Sequence, residues 1–127
     1  MLNQMKIKKQ LETGTHKVVL KSYRDFDQRI KSDGSLSKCN LMLRLENENG
    51  VIVSNNYYDE TNTEMLNNTL LDIINQTGYE TENPIQLLDY CVNNSIELNI
   101  TVTENATETP QGVTLFKNVS FRKPIEI

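Results

Sequence analysis

The sequence contains no tryptophan, a single histidine (His16), and two widely separated cysteines, Cys39 and Cys91. No apolar run approaches the ~20 residues that a membrane-spanning helix requires. Each absence removes a class of function. Without Trp, and with 37% hydrophobic residues, the core must be aliphatic and modest in size. One His and two Cys without a C-x-x-C pair cannot furnish a zinc site, and a Cys/His nucleophile would arise only by chance. Both cysteines lie in apolar contexts and read as buried small hydrophobes. Asp25 with Asp27, and Asp59 with Glu60, are the nearest approach to paired catalytic carboxylates. Neither comes with a histidine, a Gly-rich phosphate loop or a metal-ligand array, so no enzyme and no cofactor is expected. Asp59-Glu60 precedes a predicted helix and reads as charge complementing its dipole. The N-terminus, MLNQMKIKKQ, is charged with no apolar segment behind it, so no signal peptide is expected and a cytoplasmic location follows.

What is present is unevenly distributed. Residues 1–44 hold ten of the thirteen Lys and Arg against four acids, a formal +6, whereas residues 45–127 are −10. The whole-chain charge of −4 therefore conceals two regions of opposite sign. A polyanion could bind one while the other repels it.

At 127 residues the chain suits one domain with a core of its own. Residues 1–13 read as a basic arm in which Met5 and Ile7 could pair as a short strand. From Gly14, Val18 and Leu20 alternate with Lys17, Val19, Lys21 and Tyr23, the period of a half-buried strand. Asp25–Ser37 contains Ser-Asp-Gly-Ser turn chemistry and predicts a flexible loop. In KCNLMLRLEN, Cys39, Leu41, Leu43 and Leu45 point one way and Asn40, Met42, Arg44 and Glu46 the other. Asn47–Gly50 suits a hairpin turn, and VIVSNNYYDE supplies a third strand.

Thr61–Thr63 offer helix caps, Leu66, Leu70, Ile73, Ile74 and Thr77 mark one helical face, and Gly78 stops it. Pro84 could open a second short helix through Ile85, Leu88 and Cys91. A fourth strand turns Ile96, Leu98, Ile100 and Val102 inward. A fifth places Val113, Leu115, Val119 and Phe121 on the core parity and Phe116 on the other, with Pro124 as its end.

Five alternating strands favour closure, because an open sheet leaves both edges unpaired. With a helix between the third and fourth strands, the order predicts a mainly β, five-stranded OB-fold Greek-key barrel over 14–123, followed by a short tail, 124–127. The rival is a curved sheet under one helix with different strand pairing.

The run Gly14-Thr-His-Lys-Val-Val-Leu-Lys-Ser-Tyr, the L-x-L-E-N-x-x-G segment from Leu43 to Gly50, and Lys117-Asn-Val-Ser-Phe together resemble a known family. It is that of small OB-fold single-stranded DNA-binding proteins from phages, plasmids and conjugative elements of Gram-positive bacteria. The resemblance implies a non-catalytic protein that coats single strands in replication, recombination or transfer, along the face of strands one to three. Cellular members end in a glycine-rich tail with an acidic, Phe-capped tip that recruits partners. The ending Arg122-Lys-Pro-Ile-Glu-Ile departs from that pattern.

Sequence-neutral binding of a single strand needs cations for phosphates and rings for bases. Lys17, Lys21, Arg24, Arg29, Lys31, Lys38 and Arg44 are the candidate cations. Tyr23 and Phe26 are interleaved with them, Tyr57 or Tyr58 faces out on the third strand, and Phe116 is a further ring. Met42 is either an outward apolar contact or a packing filler. Phe121 and Tyr90 read as core or rim. DNA and RNA are not distinguished by these features. A small barrel covers ~4–16 nucleotides, so homo-oligomerisation is expected, with the arm adding a strand to a neighbour's edge. The alternative, from a different class, is a protein-interaction or structural OB module that uses its acidic surface.

Overall fold

Alternating apolar and polar residues build five strands, and two amphipathic helices interrupt them; the computed structural model describes residues 2–5 and 7–122. The elements are β1 (Gly14–Phe26), β2 (Cys39–Asn47), β3 (Gly50–Tyr58), α1 (Glu64–Thr77), α2 (Pro84–Asn93), β4 (Glu97–Thr109) and β5 (Gly112–Ser120), after a short 3-10 turn at Leu2–Gln4. All strand pairs are antiparallel, in one sheet ordered β3-β2-β1-β4-β5. The molecule is mainly β and barrel-like: edge strands β3 and β5 approach each other across a groove lined by Val53, Asn55 and Tyr57 on one side and Phe116, Asn118 and Val119 on the other. Two helices, rather than one, fill the connection between β3 and β4. The expected tail 124–127, including Pro124, lies outside the described residues.

The concave side of the sheet carries Val18, Leu20, Leu41, Leu43, Leu45, Ile52, Leu98, Ile100 and Val102, all buried. Leu70 and Ile73 of α1, and Leu87, Leu88 and Cys91 of α2, complete this aliphatic core with Phe121. Burying each such side chain is worth about 1.5–3 kcal/mol, so the absence of Trp is offset by number. Helix boundaries follow local chemistry. Gly78 ends α1 in the left-handed conformation, its N–H donating to the Ile74 carbonyl. Asn83 caps α2 by accepting from the Ile85 and Gln86 N–H groups, and Pro84 occupies the first turn.

Several expectations need correction. Within the expected cap range Thr61–Thr63 it is Asn62 that accepts from the Glu64 N–H, while Thr63 makes no side-chain cap. Asp59 is spent on a turn, accepting from Thr61 and Asn62, rather than on the helix dipole. Those bonds, the Thr61 hydroxyl first, hold the Asp59 carboxyl below its usual value. In α2, Ile85 is exposed and Leu87 is buried in its place. The 27–38 connection is a small ordered hairpin rather than a flexible loop: Ile30 bridges Leu36, Lys31 N–H donates to Ser35, and Asp33 binds the Ser35 hydroxyl and N–H.

The largest correction to the core concerns β5. Val113 and Leu115 are exposed, not core, because β4 and β5 run on past the barrel as a two-stranded ribbon with no layer beneath it. The arm is corrected as well. Residues 9–11 pair in parallel with the chain's own β3, Leu11 N–H donating to Val51 and Val51 N–H to Lys9. Leu11 is buried in the core, and Lys117 Nζ of β5 donates to its carbonyl at 2.8 Å. The arm thus bridges the two edge strands. Gly50 is required there, since a Cβ would collide with the Lys9 carbonyl.

Candidate functional site

β1 changes partner midway, and the change decides which side chains reach the convex face. Its first half pairs with β4 and its second with β2. Within the β2 pairing the register slips between Leu20 and Ser22, leaving Lys21 as the extra residue of a bulge. Two residues, Lys21 and Ser22, therefore separate the inward Leu20 from the next inward residue, Tyr23. Strict alternation would have turned Tyr23 out and Phe26 in. The bulge exchanges them.

Tyr23 consequently packs against the core and donates its hydroxyl to Asp89 of α2 at 2.6 Å. That bond raises the phenol's pKa above its usual value. It does not stand with the predicted stacking rings. Tyr58 is likewise inward, donating to Asp25 at 2.6 Å, which pushes its hydroxyl up strongly. Its neighbour Tyr57 is the outward one, 49% exposed.

The convex face of β1, β2 and β3 is then an array of cross-strand rows. Phe26, Asn40 and Tyr57 form the first, Arg24, Met42 and Asn55 the second, and Ser22, Arg44 and Val53 the third. With strands ~4.8 Å apart, the two rings of the first row stand roughly 10 Å from each other, with an amide between them. Arg24 lies over the Phe26 ring, 4.6 Å from its centroid. Met42 sits in the floor between Arg24 and Asn55, so it is an outward contact.

Beyond the first row, the 27–38 hairpin brings Arg29, Lys31 and Lys38 around a hollow shared with Phe26, Met42 and Tyr57. None of these three cations is in an ion pair among the described residues. Tyr57 also borders a second hollow with Lys38 and the start of α1, and a third, along the seam, with Phe116 and Met65. It is the side chain common to all three.

Other predicted residues are placed elsewhere. Lys17 lies nine residues from Phe26, roughly 30 Å along β1, and faces Glu97 at 3.8 Å. Lys21 is exposed at the bulge between the two ends. Arg44 is on the face but bonded to Glu46, which also binds Lys8 at 3.1 Å. Glu46 is nearly buried, and its carboxyl is held below the usual range by Lys8 first and by Arg44, against the opposing effect of burial. Phe116 is 51% exposed, on the far wall of the seam.

The amides were missed from the sequence. Asn40 and Asn55 are joined by a side-chain bond of 3.0 Å. Their outward parity, opposite Leu41 and the buried Asn56, was the available signal. The polar doublet Lys21-Ser22, where alternation called for one residue, was the signal for the bulge.

Chemically, the face offers flat rings at strand spacing, cations outside ion pairs at one end, with Asp27 beside them, and amides between. The buried thiol of Cys91, pushed up to about 11 by burial, takes no part. No group of three or more His, Cys, Asp or Glu suited to a metal occurs among the described residues, and no helix among them is long and apolar enough to cross a membrane. No protein-family model matches the chain, and no curated protein matches it.

Proposed function

We propose that this chain is a non-catalytic single-stranded DNA-binding protein built on an OB-fold barrel, with RNA as an alternative strand. The strand order β3-β2-β1-β4-β5, with the two edges facing each other across the arm, supports the OB reading. The observation that carries the function is the row Phe26–Asn40–Tyr57 beside the unpaired Arg29, Lys31 and Lys38. Bases stack on the two rings while the hairpin cations meet phosphates. Phosphate neutralisation makes binding steepen as salt is lowered, and stacking persists as salt rises. Replication, recombination or transfer of a mobile element in the cytoplasm is the setting in which such a strand-coating protein acts. Fluorescence anisotropy with labelled single-stranded DNA, RNA and duplex across a salt series tests it. Tighter binding to single strands than to duplex is expected, and no binding even at low salt overturns it.

Coating a long strand favours a homo-oligomer. Residues 9–11 already pair within their own chain, so a strand donated by the arm would draw on the stretch before them, where Leu2, Met5 and Ile7 are exposed.

One feature favours a second reading, a protein-interaction module. The β4–β5 ribbon exposes Val113 and Leu115 among the acids Glu104 and Glu108. Capture of a basic partner that survives loss of Phe26 and Tyr57 but not of Val113 and Leu115 supports that reading.

A further inference from the structure

The two amides of the convex face, Asn40 and Asn55, are not free to choose which end donates, because one backbone group orients both. The Asn56 N–H, which can only donate, bonds the Asn40 side chain at 3.0 Å. The Asn40 atom that receives it must be Oδ1, so the other end of that amide is the NH2 group. That NH2 donates to Asn55 at 3.0 Å, and the atom it meets must be Asn55 Oδ1. Asn55 is left presenting its own NH2, with no partner among the described residues. It is a pre-oriented donor on the face, two residues and about 6.6 Å along β3 from the ring of Tyr57.

The cations fix the direction of a base on that ring. Lys38 and the 27–38 hairpin lie on one side of Tyr57, and Asn55 lies on the other. A nucleotide whose phosphate meets Lys38 has its sugar on that side. The edge of its base farthest from the sugar then points to Asn55. In thymine, uracil and guanine that edge carries a keto oxygen, an acceptor; in cytosine and adenine it carries an amino group, a donor. Beside Asn55 stand Arg24, Met42, Val53 and Tyr57, and across the groove Phe116, Lys117 and Asn118; none of them is a carboxylate that would receive an amino group.

We propose that Asn55, held by Asn40, is a specificity-determining residue that selects keto-bearing bases, thymine or uracil and guanine, at the Tyr57 position. This inference rests on the strand-binding reading above. A donor facing a keto oxygen gains a hydrogen bond, whereas the same donor facing an amino group leaves both unsatisfied.

The test compares two 15-residue oligonucleotides, one of thymidine and one of 5-methyl-deoxycytidine, by anisotropy at fixed salt. The two share ring size, methyl group and backbone, and differ at the base edge in question. Wild-type protein is expected to bind the thymidine strand about fivefold to tenfold tighter. Asn55→Leu should bring the ratio to within about twofold, chiefly by weakening the thymidine complex. Asn55→Asp keeps one oxygen on Asn40 and presents the other as an acceptor, so its preference should invert while overall affinity falls. Asn55 is exposed, and thermal melts of both variants should match the wild type. Equal binding of the two strands by wild-type protein, or a preference unchanged in Asn55→Leu, overturns the inference and leaves strand binding standing. Failure to bind either strand at low salt overturns both.

Discussion

Two exposed sheet surfaces, the convex face of β1–β3 and the β4–β5 ribbon, both show large apolar side chains to solvent, yet they differ in what surrounds them. On the first, Phe26 and Tyr57 stand among Arg24, Arg29, Lys31 and Lys38, over a sheet whose other side is packed core. On the second, Val113 and Leu115 stand near Glu104 and Glu108, over nothing. A base needs a ring held still and a phosphate needs a cation that is not already neutralised. Exposure alone therefore does not make a surface suited to nucleic acid; the proposed binding face adds a supported strand and positive charge outside ion pairs.

Substitutions on the two surfaces should break apart accordingly. Replacing Phe26 and Tyr57 together by Ala should weaken single-strand binding by about 4 kcal/mol, close to a thousandfold, at high salt where stacking dominates. Anisotropy titrations read this directly, and a loss below about tenfold would mean that the rings are not platforms. Next in size is Leu11→Ala, at the seam between the two regions. Chemical denaturation should show about 3 kcal/mol lost, as for other buried leucines, and an unchanged midpoint would mean that the arm is not part of the core.

Charge on the convex face comes third. Lys31→Ala with Lys38→Ala should flatten the dependence of log K on log salt by about 1.4, roughly 0.7 for each single-strand phosphate that is no longer neutralised. The same substitutions leave stability within about 0.5 kcal/mol. A smaller effect attaches to Glu46. Its folded carboxyl is depressed by Lys8 and Arg44, so its contribution is complete above the unfolded value of about 4.3 and is lost as pH falls through the lower folded value. Glu46→Gln should cost about 1 kcal/mol at neutral pH, where both partners are half exposed, and remove that part of the acid-side loss. Urea melts at several pH values check it. Smallest is the ribbon: Val113→Ser with Leu115→Ser should change strand affinity less than threefold and stability by under about 1 kcal/mol in total. A large loss of affinity there would erase the contrast between the surfaces.

Much of this architecture was readable in the chain. Leu41, Leu43 and Leu45 announce their face by period two, Gly78 and Asn83-Pro84 punctuate the helices, and the Asn47–Gly50 turn joins β2 to β3 in register. What escaped depends on partners distant in sequence. The Lys21 bulge arises where β1 passes from β4 to β2, so no local propensity reports it, and it moved Phe26 out and Tyr23 in. Val113 and Leu115 have core parity, but a strand buries its parity only where another layer covers it. Leu11 looked like part of a polar arm, because its burial depends on Val51 and Lys117.

The clamp between Leu11 and Lys117 also bears on how the molecule is made. The two residues are 106 positions apart, so the seam joins a segment made before β1 to the strand made last in the sheet. Contacts of such separation carry a large loop-closure cost and place the protein among slow folders, in milliseconds to seconds rather than microseconds. A nascent chain can form β1–β3 early, with residues 9–11 covering the edge of β3 at Val51, but the rest of that edge stays uncovered until β5 has emerged. Until then that edge is open to pairing with other chains, and synthesis itself is the period of greatest exposure to aggregation.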